Sequence, residues 1–264
     1  MAKTDTLGDR CKAYEESTRF VLPPRIPKIL RLDGRAFHTF LRKAVRPYDI
    51  DVMKAMIDGA ITVMEDLGGI ARFAYIQSDE VTIGINDAIE LDTQMYFGGN
   101  IQKIVSVCAS VMANAFNRHY GHAKTDEKVY ETLEYELYGP SYPLASFDAR
   151  IFTVPDRDLN NVVLWRQQDA ARNSVQQYAR FYFSHKEVTK KNVSQLQEMM
   201  FSKHNFNWND ARPWTKRGVV IGPDRNVIWD IPLFSQDKEF LPKLFWPEKE
   251  SVEINTVPKD EVCA

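Results

Sequence analysis

Two aspartates at the ends of apolar, strand-like runs constrain this chain most. The first closes Ile29-Leu30-Arg31-Leu32-Asp33 and is followed by Gly34 and Arg35. The second lies in Gln77-Ser78-Asp79-Glu80, after Phe73-Ala74-Tyr75-Ile76 and before Val81-Thr82-Ile83. Side chains on a strand stand on fixed faces with a period of two. Adjacent strands can therefore hold two carboxylates close together. Like charges in such proximity repel unless a cation lies between them. Magnesium suits the pair, because it takes hard oxygen ligands and completes its shell with substrate phosphates. Two such ions about 3.5–4 Å apart stabilise the attacking and leaving oxygens of phosphoryl and nucleotidyl transfer. Taken alone, Asp33-Gly34 is a turn signal. With the second strand-end aspartate the metal reading becomes the better one, and the pattern predicts a magnesium-dependent nucleotidyltransferase.

The surrounding pattern predicts an α+β fold. Residues 5–17 read as a short polar helix. Pro23-Pro24 and Pro27 lead into an extended segment from Lys28 to Leu32. Asp49 is an N-cap for a helix reaching Leu67, with Val52, Met56, Ala60, Val63, Met64 and Leu67 at helical spacing and Gly68-Gly69 as its stop. Residues 72–77 and 81–86 form a hairpin with Ser78-Asp79 at the turn. A second long helix covers residues 93–119, and residues 146–155 form another strand. Strand–helix–strand–strand–helix–strand is the split βαβ, or ferredoxin-like, order, with an antiparallel sheet. Both carboxylate stretches fall on neighbouring strands of that sheet. Beyond it come helices over residues 158–183 and 193–201 and a hairpin over residues 219–231. The expected organisation is a catalytic core over residues 1–155 and a helical region over residues 156–264, packed as one compact unit. The charged tail after Trp246 is expected to be mobile.

The 264 residues are 44% hydrophobic, ample for a real core. A net charge of −2 means that any nucleic-acid surface must be local. No run approaches a membrane span, and the N-terminus lacks an apolar signal core. Cys11, Cys108 and Cys263 fit neither a disulfide framework nor a zinc site, so a reducing cytoplasm is the expected home and all three are read as inert.

Nucleotidyl transfer asks a protein for positioning and charge stabilisation. Asp33 and Asp79 are the expected metal ligands, Gly34 allows close backbone approach, and Arg31, Arg35, Arg46 and Lys103 can neutralise triphosphate charge. The local basic surfaces for RNA are Arg166, Arg172-Asn173 and Arg180, then residues 185–191 with Lys190 and Lys191, then Arg212, Lys216 and Arg217 beside Trp208 and Trp214. Each has a plainer alternative: a solvated helix face for Lys103 and for residues 185–191, core packing for the tryptophans, an arginine partner for Glu80, a hydrogen-bonded strand-end side chain for His38.

Six stretches in order resemble the tRNA-histidine guanylyltransferase family and its bacterial-type 3′-to-5′ polymerase relatives. They are Leu7-Gly8-Asp9-Arg10, the run from Arg31 to Phe40, Gln77-Ser78-Asp79-Glu80, Lys103, Phe147-Asp148-Ala149-Arg150 and Trp165-Arg166-Gln167. The resemblance implies a polymerase-palm-type core that adds nucleotides to the 5′ end of tRNA. The 5′ monophosphate is first activated with ATP or GTP, and two magnesium ions are bound by Asp33, Asp79 and the Gly34 carbonyl. It implies catalytic roles for Ser78 and Glu80 beside the metals, phosphate contacts from Lys103, and nucleotide contacts from Arg35-Ala36-Phe37-His38. It also implies a homotetramer. Two departures stand out. The family's His-Ile-Asn and Tyr-Asn are Ala171-Arg172-Asn173 and Gln176-Gln177 here, which fits template-directed repair of 5′-truncated tRNA rather than guanosine-specific addition. A Lys-Pro pair is Arg46-Pro47, and a basic residue expected before Lys103 is Asn100. The alternatives are a strict tRNA-histidine guanylyltransferase, a nucleotide cyclase on a similar core, which needs no RNA, and a non-catalytic RNA-binding module. Retention of Asp33, Asp79, Ser78 and Lys103 argues against the last.

Overall fold

A computed structural model describes residues 6–124 and 144–246. The chain opens with helix α1 (Leu7–Glu16), whose Thr6–Asp9 capping box satisfies its first turn. Strand β1 (Lys28–Gly34) follows, then a short helix α2 (Phe37–Phe40) and the long helix α3 (Ile50–Leu67). Asp49 caps α3, accepting from the Asp51 N–H at 3.0 Å, and Gly68 ends it at φ 70°. Strands β2 (Ala71–Gln77) and β3 (Glu80–Ile85) form the expected hairpin. Helix α4 (Ile101–Lys124) and strand β4 (Phe147–Thr153) complete the core. Helix α4 begins later than residue 93, because Phe97, Gly98 and Gly99 all take left-handed φ and break the helix before Asn100.

The sheet has six strands in the order β4-β1-β3-β2-β5-β6, and its pairings are antiparallel. Its first four strands follow the ferredoxin-like order that the sequence predicts. The period of two divides each strand between two faces. Leu30, Leu32, Ile76, Val81 and Ile83 point into the main core, where α3 and α4 cover them. Each such fully buried Leu, Ile or Val stabilises the fold by roughly 1.5–3 kcal/mol. Ile29, Phe73, Tyr75 and Val220 point to the other face.

That second face is covered by the C-terminal region. It comprises α5 (Leu159–Tyr182), α6 (His185–Val188), α7 (Val193–His204), α8 (Pro213–Arg217), β5 (Val219–Ile221), β6 (Val227–Ile228) and α9 (Phe240–Phe245). Leu159 and Val163 of α5 and Leu241 and Phe245 of α9 close over Ile29, Phe73 and Tyr75. The last hairpin is shorter than residues 219–231, with β5 extending the sheet beyond β2. The tail after Trp246 and Cys263 lie outside the described residues. Among the described residues no helix is long and apolar enough to cross a membrane.

Candidate active site

Strand alternation decides which carboxylates meet. On β1, Leu30 and Leu32 are fully buried, so Arg31 and Asp33 share the opposite face with Ile29. Asp33 stands directly across from Glu80 on β3 and from Asp148 on β4. The β2–β3 turn is tied to the end of β1 by the Gly34 N–H, which donates to the Asp79 carbonyl at 2.9 Å. The Arg35 N–H likewise donates to Ser146 at 2.8 Å. Three strand ends are thereby fixed at one corner of the sheet.

Two residues at this corner hold left-handed backbone, Ala36 at φ 54° and Ser78 at φ 53°. Such conformations on non-glycine residues cost on the order of 1–3 kcal/mol each and cluster at functional sites. Gly34 is required by crowding. A Cβ there would lie 2.3 Å from the Phe37 ring.

The electrostatics follow from this packing. Burial raises the Asp79 carboxyl above its ordinary range, Ser78 partly offsets this by hydrogen bonding, and the negative charge of Asp33 adds to the rise. Asp33 is held by Arg31 at 3.1 Å, and Arg31 also lies 3.0 Å from Glu80. Glu80 is buried, and both its oxygens accept from Arg166 of α5, with Nε at 2.5 Å from Oε1. Burial pushes the Glu80 carboxyl up, and Arg166 and then Arg31 pull it back. Among the described residues no group of three or more His, Cys, Asp or Glu side chains forms a ready-made metal cage. Two carboxylates with a neighbouring backbone carbonyl fit magnesium, which usually keeps substrate phosphates and water as its other ligands. The mutual repulsion of Asp33 and Asp79 is what a cation there would relieve.

A cleft opens beside Asp79, lined by Tyr48, Gln77, Ser78, Asn173, Gln177 and Trp214. Arg46 and Pro47 border its outer side with Ser78.

This arrangement has known counterparts. The family model described as tRNAHis guanylyltransferase matches residues 8–155. The chain belongs to the tRNAHis guanylyltransferase family. A bacterial tRNA(His) guanylyltransferase-like protein, solved in complex with ATP, superposes with a TM-score of 0.81 at 35% identity, covering 92% of this chain and 100% of that one. The tRNA(His) guanylyltransferase of Schizosaccharomyces pombe is 27% identical over 87% of this chain and 84% of its own length. An uncharacterised protein of Acanthamoeba polyphaga mimivirus is 31% identical over 82% of this chain and 77% of its own. The palm-like core and the nucleotidyltransferase class follow from this membership.

Within the family frame, the fold gathers some of the sequence-derived candidates and separates others. Asp33, Gly34, Ser78, Asp79 and Glu80 meet at one corner, with Arg31 among them. Arg35, Ala36 and His38 are exposed just beyond β1, and Arg46 is exposed on the cleft. Phe37 is not open to a nucleotide base. Its ring is buried among Phe40, Phe116 and Phe147, at centroid distances of 5.1 to 5.5 Å. Lys103 is exposed at the start of α4, whereas Phe116 near its other end packs on Phe37. Thirteen residues of helix, about 20 Å, separate the two. Asn100, standing where a basic residue was expected, accepts from the Lys103 N–H at 3.2 Å and so caps α4.

The RNA candidates also divide. Arg166 is buried against Glu80, so its guanidinium is withdrawn from any RNA surface. Lys216 is buried too, donating to the Asn209 carbonyl and lying 5.6 Å from the Trp208 ring. Arg217 donates to the Ile231 carbonyl at 2.8 Å. Arg172 is exposed but paired with Asp169 at 2.8 Å. Asn173, Arg180, Lys190, Lys191 and Arg212 are exposed. Sequence reasoning gave Tyr48 no role, met Gln177 only as a departure from the family pattern, and met Asp148 only within a family stretch. Asp148 had a signal in the strand period of Phe147-Asp148-Ala149-Arg150, while Tyr48 reaches the cleft only through tertiary folding.

Proposed function

We propose that this protein adds nucleotides to the 5′ end of tRNA in the 3′-to-5′ direction, copying the opposite strand, after the 5′ monophosphate has been activated with ATP or GTP. The observation that carries the proposal is the tie between the two strand ends, Gly34 N–H to the Asp79 carbonyl, beside the Asp33 and Asp79 carboxylates. Asp33, Asp79 and the Gly34 carbonyl would hold magnesium. The ion supplies charge neutralisation and a lowered pKa for the attacking hydroxyl when bound. The chain's own groups position the reactants. Arg46, Arg35 and His38 offer cations and a donor to the triphosphate at the exposed rim. Asn173 and Gln177 offer amides within the cleft. Glu80 positions Arg31, which in turn orients Asp33.

Ala171 favours template-directed addition over guanosine-specific addition, because it removes the histidine that the resemblance associates with the guanosine-adding members. Bacterial relatives solved in complex with ATP and with GTP support a site that accepts either nucleotide. Free Cys11 and Cys108 suit a reducing cytoplasm, and a homotetramer rests on the resemblance alone.

The test is incorporation of labelled nucleotides into a tRNA lacking its first 5′ nucleotide, with ATP and magnesium, by the wild type and by Asp79→Ala. The expected result is template-matched addition by the wild type and none by the variant. Guanosine added only to full-length tRNA-histidine would replace this reading with the strict guanylyltransferase. Cyclic nucleotide formed without RNA would replace it with a cyclase.

A further inference from the structure

The end of α5 opens onto a recess that the catalytic corner does not use. Gln176 and Arg180 of α5 form one wall, and His185, Lys190 and Lys191 form another. The recess encloses about 300 Å³. Arg180, His185, Lys190 and Lys191 are exposed. None of the four forms an ion pair with a described acidic side chain, and the nearby Glu187 carboxylate accepts from the Ser184 hydroxyl at 2.7 Å and interacts with Lys203 and His204. Three basic side chains around one concavity repel one another, an anion relieves that repulsion, and the His185 ring beside them offers a further hydrogen-bonding nitrogen.

Its position identifies the anion. Asn173 and Gln177 line the cleft beside Asp79, while Gln176 and Arg180 line the recess. Positions 173, 176/177 and 180 form one stripe along α5. From Asn173 to Arg180 is two turns, about 10.5 Å. At a rise of about 3.4 Å per nucleotide in a helical strand, that span is about three nucleotide steps, so its far end falls near the second or third linkage inward.

We infer that this recess is a phosphate socket for the RNA backbone, taking the linkage two to three nucleotides inward from the 5′ end being extended. The socket rests on the RNA-extending reading above and adds a register to it: the reacting end lies at Asp79 and the strand follows α5. Lys and Arg contacts to phosphate position a strand without reading its sequence, so the socket serves all acceptor sequences alike.

The test compares the wild type, Lys190→Gln/Lys191→Gln, and Lys190→Arg/Lys191→Arg on the tRNA lacking its first 5′ nucleotide. The glutamine variant should raise KM for RNA about tenfold and flatten the dependence of log affinity on log salt by about one unit, with KM for ATP unchanged. The arginine variant should match the wild type. A substrate whose linkages two and three nucleotides from the 5′ end are neutral methylphosphonates should lose the same affinity on the wild type and lose no more on the glutamine variant. A wild type that extends RNA while the glutamine variant keeps its RNA affinity and salt slope overturns the socket alone. A raised KM for ATP with RNA unaffected overturns it in favour of a nucleotide site. A wild type that neither binds nor extends RNA overturns the functional reading, and the socket with it.

Discussion

At the scale of the residue, small changes of environment separate chemically identical groups. Cys11 is exposed on α1, whereas Cys108 is buried on α4, where burial and then the charge of Asp66 push its thiol up to about 12. The thiolate is the reactive species. At pH 8, iodoacetamide should therefore label Cys11 and leave Cys108 unlabelled until the protein is unfolded, as read by peptide mass spectrometry. Raising the pH toward that value increases the thiolate fraction at Cys108, so labelling there should rise above pH 10. Equal labelling of both at pH 8 would refute the placement. Gly34 is the second case. The Phe37 ring that a Cβ would meet is held by three aromatic neighbours and cannot swing away cheaply. Gly34→Ala should cost about 1–3 kcal/mol by overpacking, seen as a lower unfolding midpoint. Gly34→Ala/Phe37→Leu should recover part of it.

At the scale of the element, the link that matters most joins strand β3 to helix α5. The Glu80 and Arg166 side chains are only 5% and 10% exposed. Removing one partner of such a pair leaves a buried charge and costs about 3–5 kcal/mol, whereas replacing both with apolar groups is often near neutral. Glu80→Gln and Arg166→Met should each destabilise strongly, and the double variant should be less destabilised than the sum. Denaturant midpoints of the four proteins measure this, and additive losses would disprove the pairing. This link was only half legible in the sequence. Glu80 had an arginine partner as its plainer alternative, but Arg166 lies 86 positions away and was read as an RNA contact. A charged side chain advertises its charge in the sequence and not its burial. Lys103 shows the converse: the sequence located it on α4, and only the fold shows it exposed at the start of that helix while Phe116, further along, packs on Phe37.

At the scale of the whole molecule, the C-terminal region acts as the second layer of one sheet. Residues 156–246 supply the side chains that cover Ile29, Phe73 and Tyr75, and β5 pairs with the edge of β2. The Tyr75 hydroxyl donates to the Arg217 carbonyl at 2.7 Å across the same seam. A chain ending at residue 155 would expose that apolar face and the β2 edge together, a recognised route to aggregation. It should therefore be insoluble or aggregate on expression, by size-exclusion chromatography, although it contains both aspartates. A monomeric, cooperatively folding fragment would show instead that residues 1–155 are an autonomous domain.

By itself the sequence determined the local order: where helices cap and stop, which positions alternate, and that two aspartates close neighbouring strands. Those features depend on contacts within a few residues, and periods of two and 3.6 are written directly in the residue order. From them the split βαβ order and the strand-end placement of Asp33 and Asp79 follow. Tertiary structure alone decided which charges are buried, which ring fills the space behind Gly34, and which cations remain open to solvent. Burial of Arg166, Lys216 and Phe37, and exposure of Arg180, Lys190 and Lys191 around one recess, depend on segments far apart in the chain. The free energy of a charge is set by the groups around it in space, and those are known only once the chain has folded.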